Sequence, residues 1–461
     1  MSDKNTSVVK LPEKLGFAAF SMGANIAYNF KSLYYMIFLT NVLKIPVLTT
    51  GVMMTLGTIW DVVNDPIVGV WANNMKFKSG ERIRPFTLYL ALPWAAGIVL
   101  LFTDFNVSQT LAAIISMVVF FFFEIANTFR GIVYNGMGGV ASANDNDRKQ
   151  INAFRSFGSC LGSGFGSVLV TPIVRLFGGL QGEGAIIGKG DAKALFLTAL
   201  VMGALCVACC FAHYFTTKER LDPPAEDEES VSFIDTYKML FKCRSWVWNM
   251  LYIMAYGVCN TLIMSVITYY AAYILGSSSA ATPILAAYLV VSIIVSLLTP
   301  KIDSLLGHKK SMYFAVIVQI VGKIPFIINP YSVVNIYINA VTLGLGATIS
   351  FIMLNLNRNN ISDVVEIQNG RRMDAMVSTG DNLASKLAEA AVNMGITYSL
   401  SAAGFDESLK LAQTNATKNV ICALLGIIPA AILALSLVTV HFMNIDKEKA
   451  ESLKKREEIH A

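Results

Sequence analysis

The sequence predicts an all-α membrane protein whose twelve transmembrane helices form two pseudo-symmetric six-helix bundles. Its 461 residues are 54% hydrophobic, and their mean hydropathy is +0.56. Only 15% of the residues are charged, whereas soluble domains carry about 25%. The apolar residues also gather into long runs, and a helix needs about 20 of them to cross a bilayer. This composition excludes an ordinary soluble enzyme.

Twelve apolar runs are long enough to span a membrane. A charged segment that contains DPPAEDEES separates the sixth run from the seventh, and we interpret it as a cytoplasmic linker. The predicted domains are therefore an N-terminal bundle over residues 1–217, the linker over 218–245, a C-terminal bundle over 246–443 and a cytoplasmic tail over 444–461. The predicted spans lie near residues 15–43, 47–74, 85–104, 108–140, 151–179, 192–216, 246–276, 282–300, 311–329, 332–357, 374–402 and 418–443.

The basic residues of the short loops predict the orientation. Loops 1–2, 7–8 and 9–10 carry almost no charge, while loops 2–3, 4–5, 8–9 and 10–11 are basic. Since basic loops stay in the cytoplasm, both termini should be cytoplasmic. The net charge of +5 therefore does not indicate a nucleic-acid partner. The basic residues are Lys76, Lys78, Arg82, Arg84, Arg148, Lys149, Lys301, Lys309, Lys310, Arg358, Arg371 and Arg372.

The second span, which includes IWDVVNDPIVGVWANN, places two acids in an apolar run. Asp61 and Asp65 are four residues apart, so on a helix they share one face. Charged side chains at membrane depth are costly and are usually functional. Asn64 adds an amide oxygen beside them. Carboxylate and amide oxygens suit a hard cation, so we expect a site here for a small cation or a proton.

The fourth and fifth spans carry hydrogen-bond donors. Asn127, Arg130 and Tyr134 follow one another at spacings of three and four, which places them on one helical face. Arg155 comes just before the glycine-rich stretch GSCLGSGFGS of the fifth span. Two other readings stay open: Arg130 neutralises Glu124 within its own helix, and Arg155 binds loops at a cytoplasmic helix end.

The eleventh span is unusually polar. Its polar residues recur at helical spacing and predict a stripe on one face. A structural ion pair between the lysine and the glutamate of this stripe is the alternative to a binding role. The members of the stripe are Asn382, Lys386, Glu389 and Asn393.

The two halves of the chain resemble each other in layout. DPIVGVWANNMKFKSGERIRP follows the second span and PKIDSLLGHKKSMY follows the eighth, so each half has an acid, a glycine and a basic cluster there. Two six-helix halves with such loops suggest the major facilitator architecture, in which the solute site lies near mid-membrane between the halves. A membrane enzyme or a channel of twelve helices is the alternative.

Three sequence blocks carry a resemblance to a known family. IWDVVNDPIVGVWANN with GERIRPF, NDNDRKQINAFRSFGS, and EIQNGRRMDAMVSTGDNLASKLAEA resemble helix 2 with loop 2–3, loop 4–5 with helix 5, and loop 10–11 with helix 11 of the glycoside–pentoside–hexuronide:cation symporters. This is the major facilitator family that includes the melibiose permease. The resemblance implies a multi-pass protein of the bacterial inner membrane.

The resemblance also implies roles for single residues. Asp61, Asn64 and Asp65 match the family's cation site, and Asn127 occupies the position of a cation-site threonine in an ungapped alignment. The remaining matches are to a sugar-binding arginine on helix 5 and to a helix 11 lysine near both sites. These two positions are Arg155 and Lys386.

Three departures from the family bear on the solute. Where galactoside-binding relatives have acids on helices 1 and 4, this chain has Asn25 and Arg130, and Tyr134 replaces a sugar-stacking tryptophan. A register slip would put Glu124 at the helix 4 acid instead, but it breaks the spacing to Arg155. The solute cavity is then cationic, and arginine binds acid groups in a bidentate fork. We therefore expect an anionic solute such as a uronide.

The expected function is import of an anionic glycoside coupled to Na⁺ or H⁺, by a protein that works as a monomer among membrane lipids. We expect no cofactor other than the coupling ion, and Asp61 and Asp65 would bind it if it is Na⁺. The sequence shows no nucleophile–base pair and no cluster of metal ligands that would indicate an enzyme. A sodium-dependent transporter of a lysolipid-like or other anionic organic solute is the first alternative. A sensor or scaffold protein that binds solute without moving it is the second.

Overall fold

The computed structural model describes residues 9–74, 77, 79–81, 83–142, 145–182, 185–220, 240–369, 374–406, 409 and 412–460. These residues are mostly helical, and none of them lies in a strand. Most of the predicted linker falls outside these ranges. Several basic loop residues that predict the orientation also lie outside them: Lys76, Lys78, Arg82, Arg371 and Arg372.

Fifteen α-helices follow one another in the described ranges. The first continues into a π-helical turn, Phe38–Val42, and two short 3-10 turns cover Lys189–Asp191 and Ser278–Ala280. The helices are α1 (Leu11–Ile37), α2 (Val47–Asn74), α3 (Arg84–Leu101), α4 (Gln109–Ala141), α5 (Asp145–Ser167), α6 (Val170–Leu176), α7 (Ala192–Thr216), α8 (Arg244–Tyr273), α9 (Ala281–Leu306), α10 (His308–Ile328), α11 (Val333–Asn369), α12 (Asp374–Ala402), α13 (Asn415–Leu425), α14 (Ile427–Phe442) and α15 (Ile445–His460).

The chain forms two compact units. Unit 1 contains Met1–Glu226, Ile267–Ala286 and Thr397–Thr417, so it combines α1–α7 with the last turns of α8 and α12 and the start of α9. Unit 2 contains Asp227–Val266, Ala287–Ile396 and Lys418–Ala461.

Among the described residues, eight helical segments are long and apolar enough to cross a membrane. A ninth arises if α5 and α6, which bend by 44° at their break, form one broken span. Helices α1, α2 and α12 are 27, 28 and 29 residues long, but they fall outside this set because polar and charged residues lower their hydropathy. The eight segments are Arg84–Leu101, Gln109–Gly138, Lys189–Thr216, Arg244–Tyr273, Ser278–Thr299, His308–Ile328, Val333–Gln368 and Asn415–Leu453.

The tenth predicted span differs most from its helix. The sequence predicts 332–357, whereas α11 runs over Val333–Asn369. The prediction stops before Arg358, the first charge, because hydropathy detects only the apolar part of a helix. Backbone hydrogen bonding along the helix does not require apolar side chains, so α11 continues through the polar residues that follow.

Glycines let α1 and α5 of unit 1 pack backbone to backbone. A Cβ atom on Gly158, Gly162 or Gly166 would lie 1.9, 2.2 or 2.5 Å from a carbonyl oxygen of α1. The spacing of four residues places the three glycines on one face of α5. Small residues at a helix interface permit such an approach in membranes, so the glycine-rich stretch is a packing surface.

We expect Gly162→Ala to destabilise the protein, because its Cβ would meet the carbonyl oxygen of Met22 at 2.2 Å. Overpacking of this kind costs about 1–3 kcal/mol, and the melting temperature in detergent should fall. Gly131→Ala is the matched control, since a Cβ on Gly131 meets nothing within 4 Å. Equal melting temperatures for the two variants would contradict the packing.

A salt bridge connects Arg220, which follows α7, to Glu13 in the first turn of α1. Arg220 donates to both carboxylate oxygens of Glu13, at 2.7 and 2.9 Å, and to the carbonyl of Ala141 at the end of α4. The bonds to Glu13 raise the pKa of the Arg220 guanidinium above its ordinary value. The start of α1, the end of α4 and the segment after α7 are therefore held together.

In unit 2, a buried lysine lies at a helix break. Helix α13 ends at Leu425 and α14 begins at Ile427, with Gly426 between them. The ammonium group of Lys323 on α10 donates to the carbonyl of Leu425 at 3.2 Å and to the amide oxygen of Asn339 at 3.3 Å. It thereby satisfies a carbonyl at the helix end, which otherwise has few partners.

Candidate functional site

The two acids of α2 both contact a hydroxyl group of α4. The hydroxyl of Thr128 lies 2.9 Å from Oδ1 of Asp65 and 3.4 Å from Oδ1 of Asp61. The amide of Asn64, which is only 2% exposed, donates to the same hydroxyl at 2.7 Å. The structure thus brings Asp61, Asn64 and Asp65 together around Thr128.

This cluster has more acceptor oxygens than the hydroxyl can serve. Besides the two carboxylates, the carbonyl of Glu124 lies 3.1 Å from the hydroxyl of Thr128. A hydroxyl has one hydrogen to donate, so it serves one of these three oxygens at a time. Negative, acceptor-rich oxygen clusters are suited to a hard cation such as Na⁺ or to a proton.

Asn127 hydrogen-bonds to other side chains of α4. Its amide donates to Oε2 of Glu124 at 3.1 Å and accepts a hydrogen bond from Nε of Arg130 at 2.9 Å. It is therefore Thr128, one residue further on, that supplies the hydroxyl at the carboxylates. The role of Asn127 as a cation ligand, which the family resemblance implies, stays a prediction, and Thr128 lies directly beside it in the sequence.

Glu124 forms an ion pair with a lysine of α1. Its Oε1 atom lies 2.6 Å from the ammonium group of Lys31. The side chains of Phe120 and Phe123 also lie near this ammonium, with ring centres 5.1 and 5.7 Å away. Lys31, and not Arg130, thus directly neutralises the buried Glu124. Local sequence patterns give no signal for this pair, because its two residues lie 93 positions apart on different helices.

Arg130 faces the bundle formed by α3 and α7. Its guanidinium carbon lies 5.7 Å from the centre of the Trp94 ring, within the range of a cation–π interaction. Among the described residues, no carboxylate lies within ion-pair distance of this guanidinium. Arg130 and Glu124 share Asn127 as a hydrogen-bond partner.

Arg155 is clamped between aromatic rings. Its guanidinium carbon lies 4.8 Å from the ring centre of Tyr134 and 5.2 Å from that of Phe17. It also donates a hydrogen bond to the backbone carbonyl of Tyr134. Arg155 and Tyr134 are therefore neighbours, and the guanidinium is held in a fixed orientation by α1 and α4.

Asn25 lies at the α1–α5 contact. Its amide donates to the carbonyl of Ser21 at 3.0 Å, one turn earlier on the same helix. Gly162 leaves room for it, since a Cβ there would lie 2.9 Å from that of Asn25. The side chain is half-buried.

Lys386 belongs to α12 in unit 2, where it is half-buried. Five residues earlier, Asp381 is 2% exposed and accepts a hydrogen bond of 2.7 Å from Nε of Arg358 on α11. The polar stripe of α12 therefore begins next to an ion pair between two helices of this unit.

The sequence of this chain matches a known family over most of its length. The model of the family described as MFS/sugar transport protein matches residues 16–447. The inner membrane symporter YicJ of Escherichia coli K12 is 25% identical over 446 residues, 94% of this chain and 91% of that protein. The isoprimeverose transporter of Lactiplantibacillus pentosus is 23% identical, over 99% of this chain and 93% of the relative.

A solved structure has the same fold. The crystal structure of a bacterial homologue of the human lysosomal transporter Spinster superposes with a TM-score of 0.67 at 12% identity, covering 97% of this chain and 98% of that one. The protein is therefore a sugar-type symporter with a major facilitator fold, a multi-pass protein of the bacterial inner membrane and not an enzyme. The chain belongs to the MFS/sugar transport protein family, as one of its glycoside–pentoside–hexuronide:cation symporters.

Proposed function

We propose that the protein imports an anionic glycoside, such as a uronide, together with Na⁺ or H⁺ by alternating access. The main support comes from the contacts of α4. Its Thr128 contacts the two carboxylates of α2. Within the next two turns of α4, Arg130 lies over the Trp94 ring and Tyr134 contacts Arg155. A cation site and an anion-attracting surface thus share one helix. We also propose that the protein has twelve membrane-spanning helices and cytoplasmic termini, and that it works as a monomer.

The cation binds Asp61 and Asp65 together with the hydroxyl of Thr128 and the carbonyl of Glu124. Two carboxylates that contact one hydroxyl repel each other, and a positive charge between them relieves the repulsion. Asn64 orients Thr128, because the amide of Asn64 donates a hydrogen bond of 2.7 Å to the Thr128 hydroxyl. Sodium and a proton both satisfy this chemistry.

The solute's acid group is attracted by the arginines of unit 1. Arg130 and Arg155 have no carboxylate partner among the described residues. Guanidinium groups bind carboxylates in a fork of two charge-assisted hydrogen bonds. Asn25 and Tyr134 supply polar groups for sugar hydroxyls. For Lys386, on unit 2, the solute-binding role that the family resemblance implies stays a prediction.

Coupling between the two sites has a physical route along α4. The backbone carbonyl of Glu124 contacts the hydroxyl of Thr128, and its side chain accepts from Asn127, which in turn accepts from Arg130. Charge placed at Asp61 and Asp65 therefore changes a hydrogen-bonded chain that ends at Arg130. Each ligand then changes the affinity for the other by the same factor.

The expected specificity is tested with two solutes that differ only at C6, methyl glucuronide and methyl glucoside. Unlabelled glucuronide should compete with labelled glucuronide for uptake at least about 10-fold better than glucoside does, since hydrogen bonds to charged groups contribute about 1.5–3 kcal/mol. Arg155→Gln should reduce this ratio. Arg175→Gln is the matched control, because Arg175 is exposed at the end of α6.

Two outcomes would contradict the proposed specificity. Better competition by the glucoside than by the glucuronide would contradict an anionic solute. An Arg155→Gln variant with an unchanged ratio would remove Arg155 from the solute site. If neither glycoside were transported, a lysolipid-like solute would replace the glycoside in the proposal.

A further inference from the structure

Two matching helix faces bring α2 and α4 together in unit 1. A Cβ atom on Gly57 would clash with the ring of Phe120, and Asp65 contacts the Thr128 hydroxyl at 2.9 Å. Both contacts join residues that are 63 positions apart. The two helices therefore run in the same direction and keep one register over about two turns. Residues spaced by four share one face of a helix, so the contacts mark one continuous interface.

This register places Glu124 at the level of Asp61. These two residues are also 63 positions apart, and each lies midway between the two contacts on its own helix. Glu124 is 2% exposed, and its carbonyl lies 3.1 Å from the hydroxyl of Thr128. A third carboxyl group is therefore buried about 5.4 Å, one helical turn, from the hydroxyl that Asp61 and Asp65 contact.

An ammonium group from α1 compensates this third acid. Nζ of Lys31 lies 2.6 Å from Oε1 of Glu124, and the two side chains are only 12% and 3% exposed. The ring of Phe120, which packs on Gly57, has its centre 5.1 Å from the same ammonium. Buried charges are screened much less than exposed ones. Lys31 therefore brings a positive charge close to the acids of α2.

We propose that Lys31 is an internal counter-ion that lowers the affinity of the cation site for Na⁺. This inference rests on the proposed cation site at Asp61 and Asp65. The ammonium holds Glu124, so this third carboxylate is not available to an incoming ion, and its own charge repels that ion. A transporter must release its coupling ion in every cycle, and a weaker site releases the ion faster.

The test measures the melting temperature of the purified full chain in detergent as Na⁺ replaces choline at constant ionic strength. An ion that binds the folded state raises the melting temperature according to its concentration and its Kd, so the series gives an apparent Na⁺ affinity. Lys31→Met should raise this affinity at least about 10-fold, because it removes a nearby positive charge and leaves Glu124 to the ion. Structural damage would lower the affinity, so the sign of the change is diagnostic.

Two further variants keep the test decisive if Lys31→Met does not fold. Glu124→Gln removes the carboxylate and keeps the ammonium, so it should weaken Na⁺ binding at least about 10-fold. The double variant with Lys31→Met and Glu124→Gln removes both charges, and its Na⁺ affinity should return close to the wild-type value. Replacing both members of a buried ion pair by uncharged groups is often neutral for stability, so the double variant should fold.

Arg220→Gln is the matched control, because it also removes the cation of an ion pair with α1. Its partner Glu13 lies 2.7 Å away and is 18 residues before Lys31, which is about 27 Å along the helix. The Na⁺ affinity of Arg220→Gln should therefore equal that of the wild type.

The possible failures distinguish this inference from the proposed cation site. Unchanged or weaker Na⁺ binding in Lys31→Met, or unchanged or tighter binding in Glu124→Gln, overturns the role of Lys31. The cation site itself still stands in that case if Asp65→Asn abolishes the Na⁺ effect. A wild-type chain that does not respond to Na⁺ also overturns the inference, and uptake under a proton gradient then decides the proposed function.

Discussion

Replacing Asp65 with asparagine is expected to abolish cation-driven accumulation of the solute. Asparagine keeps the shape and still accepts the hydrogen bond that Thr128 donates at 2.9 Å, so the fold should survive. It removes one of the two negative charges at the cation. A charge pair at about 4 Å is worth roughly 4 kcal/mol at an intermediate dielectric, which corresponds to about a 1,000-fold loss of cation affinity.

The measurement is the initial uptake rate as a function of cation concentration, with the steady-state accumulation ratio. Asp61→Asn should behave in the same way, since its carboxylate contacts the same hydroxyl at 3.4 Å. Asp104→Asn is the control, because Asp104 follows α3 and its carboxylate accepts from the backbone of Asn106. Normal cation dependence in Asp61→Asn and Asp65→Asn would show that the cation binds elsewhere.

Replacing Thr128 with valine should weaken cation binding about 10- to 100-fold. Valine has nearly the same shape, but it removes the oxygen that contacts Asp61, Asn64 and Asp65. Losing a hydrogen-bonding group next to charged partners costs about 1.5–3 kcal/mol. Thr128→Ser keeps the hydroxyl, so its cation affinity should stay close to that of the wild type.

Asn127→Leu tests whether Thr128 or Asn127 is the cation ligand on α4. Asn127 links Glu124 to Arg130, so its loss should weaken solute binding and leave the cation affinity nearly unchanged. If the leucine variant lost cation affinity while Thr128→Val kept it, Asn127 and not Thr128 would be the cation ligand. Uptake rates at varied cation and varied solute concentrations distinguish the two results.

The pair of acids on α2 could be predicted from the sequence, whereas the residue of α4 that contacts them could not. A spacing of four residues in an apolar run is enough to place Asp61 and Asp65 on one helical face. Which residue of α4 meets them depends on the rotation of that helix, and a shift of one residue rotates the contact by about 100°. A sequence alignment does not resolve this rotation, so Asn127 stays the prediction from the family resemblance and Thr128 the ligand proposed from the contacts of α4.

Contacts between residues that lie far apart in the sequence could not be predicted from it either. Lys31 pairs with Glu124 on another helix, and Trp94 lies beneath Arg130. Neither contact has a signal in local periodicity, because both depend on how α1 and α3 pack against α4. The presence of a membrane-spanning helix was easier to predict, because it depends mainly on the length of the apolar run. The end of α11 at Asn369 was not, because its last turns are polar.

The most direct test of cation-coupled symport is uptake of methyl glucuronide into right-side-out vesicles from cells that produce the protein. The uptake is measured with an inward sodium gradient, an inward proton gradient or neither, and compared with vesicles that lack the protein. We expect accumulation above the external concentration under one of the two gradients and simple equilibration without a gradient. Equilibration at the same rate and to the same level in all three conditions would contradict cation-coupled symport.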